Sequence, residues 1–414
     1  MMNRFYTLLI ILVFCSWSVS AQVKVLFDAR KAQMAANADW IVDADLYNIG
    51  TGSGGAMQTG RGNEANPQRF PTPAQSGITS VTPETYWKGA LSAWGVELAK
   101  RGFLVETLPF NGTISYGNSS NLQDLSNYKV FICIEPNIRF TTAEKQAIIR
   151  FVQNGGGLFM GGNHYGSDRN NDGWDAPRIW NDLMTNNGLV TNPFGMSFDQ
   201  VSFSQTTSNF ASVAGNAILS GAAGNPVQMK FSSGTSLTLN KTVNPTSLGL
   251  VFKTGSSTTG STGVMFAQCR YGTGKVATIG DSSPPDDGTG DTNDQLYNGW
   301  SAEVNGDHSR ILINATLWLA SNTLREGSLS SSRDVSVWPN PFSGNIRVEY
   351  ASTIDAPLSL SVIDIAGKTV YSSSADLVVG PNLFDLSLEK LNPGFYFLVL
   401  NDGMRQEVIR LVRE

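Results

Sequence analysis

Residues 22–325 alternate between short strand-like and helix-like segments, and no other feature limits the possible folds as strongly. The strand-like segments are apolar and occupy residues 23–28, 103–108, 128–134, 158–161, 248–253, 264–269 and 275–279. Helical periodicity or capping signals mark residues 83–101, 141–155, 177–184 and 308–319. Strands that alternate with helices predict an α/β domain with a mainly parallel sheet. Residues 187–262 are rich in Ser, Thr, Gly and Asn and predict an irregular β insertion.

The two ends of the chain predict how it is organised. Residues 1–21 have a basic start, an apolar run and a small-residue end, which is typical of a cleaved signal peptide. No later segment is apolar for long enough to act as a transmembrane anchor. A Ser-rich linker over residues 326–333 separates the α/β domain, residues 22–325, from a last domain, residues 334–414.

Charge and cysteine content exclude some classes of protein. The 414 residues include 29 Lys and Arg against 34 Asp and Glu, a net charge of −5. This balance makes nucleic acid a poor partner for the chain. Three cysteines are too few for a disulfide scaffold. Cys133 and Cys269, which follow the predicted signal peptide, are expected to be buried thiols in strands, and a disulfide is the alternative.

Polar side chains follow several predicted strands at the point where each strand ends. Asp28, Glu135, His164 and Asp281 lie at such positions, and His308 opens the last predicted helix. In doubly wound sheets, ligands bind beyond the carboxyl ends of the strands. We therefore expect these five residues to have catalytic roles, as acids, bases or ligands, at one edge of the sheet.

The segment GTGKVATIGDSS (residues 272–283) and the later helix end NATLWL (residues 314–319) carry a family resemblance. Together with the strand–helix order, they make residues 22–325 similar to class I glutamine-amidotransferase-like domains. The resemblance implies a flavodoxin-like sheet. Amidotransferases of this class place a catalytic Cys where this chain has GNHYG (residues 162–166), so we do not expect amidotransferase activity. His164 is then either a base or metal ligand at a tight turn, or a loop residue held by hydrogen bonds.

Residues 168–175 read DRNNDGWD, with oxygen-bearing side chains at alternate positions followed by a glycine. This pattern is typical of the first half of a Ca²⁺-binding loop. The candidate metal ligands are Asp168, Asn170, Asp172 and Asp175. An EF-hand is excluded because Ile179 stands where its bidentate Glu would be. The alternative is a loop of Asx turns that caps the following helix.

The last domain consists of strand-like segments separated by turn residues, which predicts a small Ig-like β-sandwich over residues 334–414. It contains PNPF (residues 339–342), DIAGK (residues 364–368) and LNPGFY (residues 391–396), in that order. These motifs resemble the type A sorting domain of the type IX secretion system of Bacteroidota. The resemblance implies export to the cell surface or the medium, with the secretion machinery and its sortase as partners.

Two functions stay open at this point. The first is a secreted hydrolase, with or without a divalent metal, that acts on polysaccharide, glycoconjugate or peptide. Carboxylates of residues 281–294 could bind such a metal with a histidine, and Ser282 with His308 offers a serine-hydrolase arrangement. The candidate sugar-stacking residues are Trp40, Trp174 and Trp300. The second function is a noncatalytic binding or scaffold module, which the missing Cys favours.

Overall fold

The computed structural model describes residues 22–35, 38–42, 50–51, 57–58, 75–290, 297–302, 307–321, 335–352, 355–364, 368–402 and 406–414. The chain divides into two compact units, residues 1–321 and 322–414. The predicted signal peptide, residues 1–21, and the predicted linker, residues 326–333, lie outside the described residues. Among the described residues, no helix combines the length and apolar character that a membrane span requires.

The first unit is an α/β structure. Its strands are β1 (Lys24–Asp28), β2 (Met34–Ala35), β3 (Ala38–Asp39), β4 (Gly50–Thr51), β5 (Met57–Gln58), β6 (Leu104–Leu108), β7 (Val130–Ile134), β8 (Gly157–Gly161), β9 (Met196–Phe198), β10 (Phe203–Thr207), β11 (Met229–Gly234), β12 (Leu237–Leu239), β13 (Leu248–Phe252), β14 (Val264–Tyr271) and β15 (Gly274–Ile279). Its helices are α1 (Ser92–Lys100), α2 (Thr142–Gln153), α3 (Ala176–Thr185), α4 (Gly299–Ala302) and α5 (Asp307–Ala320). Short 3₁₀ helices cover Glu84–Tyr86 and Leu125–Asn127.

The main sheet is mixed and mostly parallel, which confirms the predicted α/β class. Its strand order is β6-β1-β7-β8-β15-β14-β12-β9, and β13 pairs with β14. The neighbours from β6 to β15 pair in parallel, whereas β14, β13, β12 and β9 add antiparallel pairs. Numbered along the chain, the five parallel strands therefore stand in the order 2-1-3-4-5. The predicted β insertion, residues 187–262, contains β9 to β13.

Both faces of the parallel sheet are covered, because alternate side chains of each strand point to opposite faces. Val25 and Phe27 of β1 belong to one core cluster, whereas Leu26 belongs to another. The first cluster contains Trp94 from α1 and side chains of α5, and the second contains side chains of α2 and α3. This burial explains why the strands read as continuous apolar runs. Cys133 is also buried in the sheet, as a free thiol, as is Cys269.

The second unit contains only antiparallel strand pairs among its named strands. These strands are β16 (Val335–Trp338), β17 (Asn345–Ser352), β18 (Ala356–Asp364), β19 (Thr369–Leu377), β20 (Gly380–Ser387), β21 (Gly394–Asn401) and β22 (Gln406–Arg413). They form one sheet in the order β16-β17-β20 and another in the order β19-β18-β21-β22. One face of each sheet carries apolar side chains, and these side chains form a shared core that includes Val348, Leu360 and Leu398.

Candidate functional site

The carboxyl ends of four parallel strands lie at the same edge of the main sheet. Asp28 ends β1, Glu135 follows β7, residues 162–164 follow β8, and residues 280–283 follow β15. Because β6 and β7 flank β1 on opposite sides, the chain reverses its direction of winding between β1 and β7. Such a switch point is where open α/β sheets bind ligands. Asp28 and Glu135 lie at it.

Glu135 is the centre of a hydrogen-bonded cluster at this edge. Its Oε2 accepts hydrogen bonds from the Trp40 indole at 2.7 Å and from the Ser282 hydroxyl at 2.6 Å. Its Oε1 accepts from Nε and Nη2 of Arg169, both at 3.3 Å. Asn163 also donates a hydrogen bond to this carboxylate. We call Trp40, Glu135, Asn163, Arg169 and Ser282 the Glu135 cluster.

The backbone and the electrostatics of Glu135 are both unusual. Its φ of 49° lies in the left-handed region, which a residue with a side chain seldom occupies. Strained conformations of this kind occur preferentially at functional sites. The side chain is fully buried, and this burial raises the pKa of the carboxyl. The Arg169 charge and the hydrogen bonds from Ser282, Asn163 and Trp40 oppose the rise in pKa.

Asp281 is a second fully buried carboxylate after β15. It accepts hydrogen bonds from the Ser232 amide at 2.5 Å, and from the amide and the hydroxyl of Ser283, each at 3.0 Å. Burial raises its pKa to about 7, and the negative charge of Glu135 adds to the rise. The preceding Gly280 has no room for a side chain, since a Cβ there would lie 2.0 Å from the Thr235 carbonyl oxygen.

Asp28 is also held by neighbouring groups. Its carboxylate accepts a hydrogen bond from the Arg30 amide at 3.2 Å, from the Gln33 side chain, and from the Cys133 thiol at 3.5 Å. Burial raises the pKa of Asp28 to about 6, although the Lys31 charge opposes this. Burial and the Asp28 charge raise the pKa of the Cys133 thiol well above its ordinary value, which disfavours the reactive thiolate.

The two histidines have different surroundings. His308 is fully buried at the start of α5, where its Nε2 accepts a hydrogen bond from the Lys230 amide at 2.9 Å. Its Nδ1 therefore carries the proton and donates to the Gly299 carbonyl oxygen at 2.8 Å. His164 is half-buried in the loop after β8, with Nδ1 2.9 Å from the Tyr165 carbonyl oxygen. Backbone groups thus occupy both ring nitrogens of His308 but one ring nitrogen of His164.

The loop predicted to bind Ca²⁺ forms hydrogen bonds with its own backbone. Asp168 accepts from the amides of residues 172 and 173 at 3.1 and 2.7 Å, and Asp172 accepts from the amide of residue 174 at 2.9 Å. The Asn170 Oδ1 lies 3.4 Å from the amide of residue 172. Asp175 caps α3 by accepting from the amide of residue 178 at 2.9 Å. Across the part of the chain that the structure describes, no three His, Cys, Asp or Glu side chains are grouped to hold a metal ion.

The sequence pattern marked Asp28, Glu135 and Asp281, but not the partners that hold Glu135. The sequence places Trp40 among the candidate sugar-stacking residues, Ser282 in a serine-hydrolase arrangement and Arg169 within the predicted calcium loop. Trp40 and Trp300 are almost completely buried, so Trp174 is the half-exposed member of the three predicted platforms. Sequence spacing gives no sign that residues 40, 163, 169 and 282 meet around one carboxylate, because three loops far apart in the chain bring them together.

Residues 336–414 match the family model of the secretion system C-terminal sorting domain. The protein is exported by the type IX secretion system. The sorting domain confirms the predicted destination, the cell surface or the medium, and implies an interaction with the type IX secretion machinery. The match covers most of the second unit, residues 322–414, and leaves the first unit unassigned.

Other comparisons add little about the first unit. No curated protein matches the chain. Among solved structures, the mmIFT52 N-terminal domain is 14% identical, with a TM-score of 0.39, over 72% of this chain and 99% of that chain. A β-glucosidase from Listeria innocua in complex with glucose is 11% identical, with a TM-score of 0.16, over 97% of this chain and 47% of that chain. These low TM-scores assign no function to this chain.

Proposed function

We propose that the central α/β domain is an extracellular binding module that recognises its ligand without converting it. One observation carries this proposal: the protein's own hydrogen-bond donors already occupy the carboxylates predicted to be catalytic. Asp28, Glu135 and Asp281 are each buried and accept at least three hydrogen bonds. The backbone holds both nitrogens of His308. A general acid or base must reach the reacting atom, and these groups face the protein interior instead.

The experiment is a hydrolysis screen of the full-length chain with chromogenic esters, peptides and glycosides, with and without Ca²⁺, Mn²⁺ and Zn²⁺. We expect that no compound of the screen is hydrolysed faster in the presence of the protein than in buffer alone. A compound that binds should raise the melting temperature of the chain by mass action and be recovered unchanged. Hydrolysis by the wild-type chain that disappears in His164→Ala or Glu135→Gln would overturn the proposal.

A hydrolase is the second candidate, and one contact favours it. Ser282 donates its hydroxyl hydrogen to Glu135 at 2.6 Å, as a serine nucleophile would to a carboxylate base. Ser282 is 1% exposed, however, so a substrate could meet it only after neighbouring groups move. The same hydrolysis screen separates the two functions, because a Ser282→Ala variant would lose turnover if this pair were catalytic.

Calcium binding at residues 168–175 stays a prediction. The support for it is the spacing of Asp168, Asn170, Asp172 and Asp175, together with the Ca²⁺-rich surroundings of an exported protein. If the site exists, Ca²⁺ added to the EDTA-treated full-length chain raises its melting temperature, and Asp172→Ala removes the rise. A melting temperature that does not depend on Ca²⁺ would leave the Asx-turn interpretation, which the backbone hydrogen bonds of the loop already support.

We also propose a specific fold for each of the two domains. The strand order 2-1-3-4-5 supports a flavodoxin-like, class I amidotransferase-like sheet for residues 22–325. Two antiparallel sheets with a shared core support an Ig-like sandwich for residues 334–414. We further propose that a type IX sortase processes this domain, as the motifs at residues 339–342, 364–368 and 391–396 imply.

A further inference from the structure

A cleft of about 450 Å³ opens along α3 and the loop that precedes it. This volume lies within the range of small-molecule sites, roughly 300–1,000 Å³. The side chains that carry its chemistry are Trp174, Arg178, Asn181, Asp182, Asn186 and Gln200. Among the described residues that line it, Trp174 is the aromatic residue, and the others are polar or glycine.

Fixed contacts hold the walls of this cleft in place. Asn181 forms two hydrogen bonds with the backbone of Phe198, at 2.8 and 2.9 Å. Asp182 pairs with Lys145 and accepts from the Asn186 side chain at 2.9 Å. The Arg139 guanidinium lies 3.9 Å from the centre of the Trp174 ring. A site whose side chains are already ordered loses less conformational entropy when a ligand binds.

The lining selects one chemical class of ligand. It has no aliphatic side chain among the described residues, which disfavours a lipid or an apolar peptide side chain. Asp182 pairs with Lys145, and Arg178 lies 4.0 Å from the carboxylate of Asp175, so each charge of the lining has an opposite charge beside it. No strong charge of one sign therefore attracts a polyanion or polycation. An indole ring beside amide, guanidinium and carboxylate groups suits a sugar, which presents an apolar ring face and many hydroxyl groups.

We propose that this cleft, which we call the α3 cleft, binds a carbohydrate, with Trp174 against a sugar ring and Gln200 hydrogen-bonded to hydroxyl groups. The proposal rests on the proposed binding function and deepens it by naming the site and the ligand class. The α3 cleft is close in sequence to the Glu135 cluster, because Trp174 of the cleft and Arg169 of the cluster belong to the same loop. The site lies wholly within the first unit.

The test measures binding of cello-, chito-, xylo- and manno-oligosaccharides to the full-length chain by calorimetry. We expect at least one series to bind, Trp174→Ala to weaken binding tenfold or more, and Trp174→Phe to restore part of the affinity. Gln200→Ala, at an exposed position, should weaken binding without changing the melting temperature. Trp338→Ala is the matched control, because Trp338 is an exposed tryptophan of the sorting domain, and it should bind like the wild type.

Failure of this inference differs from failure of the proposed function. Sugar binding that Trp174→Ala and Gln200→Ala leave unchanged overturns the α3 cleft as the site, yet keeps a binding module. If none of the four oligosaccharide series binds, the carbohydrate assignment is overturned. Cleavage of a bound oligosaccharide overturns the noncatalytic function, even if Trp174→Ala weakens binding.

Discussion

Glu135 illustrates how this fold uses charged residues at the sheet edge. A buried carboxylate is costly unless hydrogen bonds and an opposite charge compensate for its lost hydration. Here an indole, a hydroxyl, an amide and a guanidinium supply that compensation. Because Arg169 remains 26% exposed, the pair is only partly removed from water. The cluster therefore ties four loops together through one side chain.

The first prediction concerns Glu135→Gln. The amide keeps the size of the side chain but removes the charge and turns one acceptor oxygen into a donor that faces existing donors. We expect the free energy of unfolding to fall by about 2–4 kcal/mol, since hydrogen bonds to charged groups contribute about 1.5–3 kcal/mol each. Urea unfolding of the full-length chain measures the change.

Glu97→Gln is the matched control for this substitution. Glu97, whose side chain is 13% exposed, pairs with Lys100 and with the C-cap residue Arg101 of α1, three and four residues along the chain. Such pairs contribute less than about 1 kcal/mol. Equal losses of stability in the two variants would contradict the central role of Glu135.

Among the helices and strands, α1 begins at a residue that local sequence signals do not predict. The apolar periodicity of residues 83–101 predicts one helix, but α1 begins only at Ser92, after a 3₁₀ turn at Glu84–Tyr86. Gly89, with φ of 117°, breaks the helix between them. The N-cap residue of α1, Leu91, has no side chain that can cap the helix. Instead, the Asp287 carboxylate from a distant loop accepts a hydrogen bond from the Ala93 amide at 2.7 Å.

The second prediction is that Asp287→Ala destabilises the protein by about 1–2 kcal/mol, the usual effect of losing a helix cap. Asp287→Asn keeps an acceptor oxygen and should lose clearly less. Thermal unfolding of both variants measures the difference. If alanine and asparagine destabilise the chain equally, the remote cap does not stabilise α1.

Where the capping residues are next to the helix in the sequence, the sequence predicts closely where the helix begins. Thr141 and Glu144 form a capping box, and α2 follows at Thr142–Gln153, within the helix predicted over residues 141–155. Asp175 caps α3, which lies close to the predicted helix at residues 177–184, and Pro177 lies in its first turn. The contacts around Glu135 could not be predicted in this way, because they depend on how loops far apart in the chain meet. Topology rules reduce the possible strand orders to a few, but they give no information about side-chain partners.

For the whole molecule, the buried carboxylates of the first unit determine the response to pH. Burial raises the pKa of Asp28 and Asp286 to about 6, and that of Asp281 and Asp287 to about 7. In the unfolded chain these groups titrate near 4. Between pH 4 and 7 the folded state therefore binds more protons than the unfolded state, and the free energy of unfolding falls as pH rises.

The third prediction is that the full-length chain is more stable at pH 5 than at pH 8, by at least about 1.4 kcal/mol, the value of one pKa unit. Below pH 4 stability should fall again, because the Asp124 carboxyl takes up a proton in the unfolded chain, whereas in the folded chain hydrogen bonds lower its pKa to about 2 and keep it charged. Urea unfolding across pH 3–8 measures the curve.

The variant Asp281→Asn tests the origin of this pH dependence. Asparagine resembles the protonated acid, so it should reduce the difference in stability between pH 5 and pH 8. A chain that is more stable at pH 8 than at pH 5 would show that the raised pKa values of these carboxylates do not dominate.

The central claim is that the fold itself occupies Asp28, Glu135, Asp281 and His308, four of the five residues predicted to be catalytic, and His308 tests this claim most directly. The chain contains two histidines, so ¹⁵N NMR of the imidazole nitrogens can resolve both. For His308 the structure predicts a proton on Nδ1 and an unprotonated Nε2 at neutral pH, because Nε2 accepts from the Lys230 amide. A proton on Nε2, or rapid exchange between the two tautomers, would contradict the claim and return His308 to the candidates for a catalytic base.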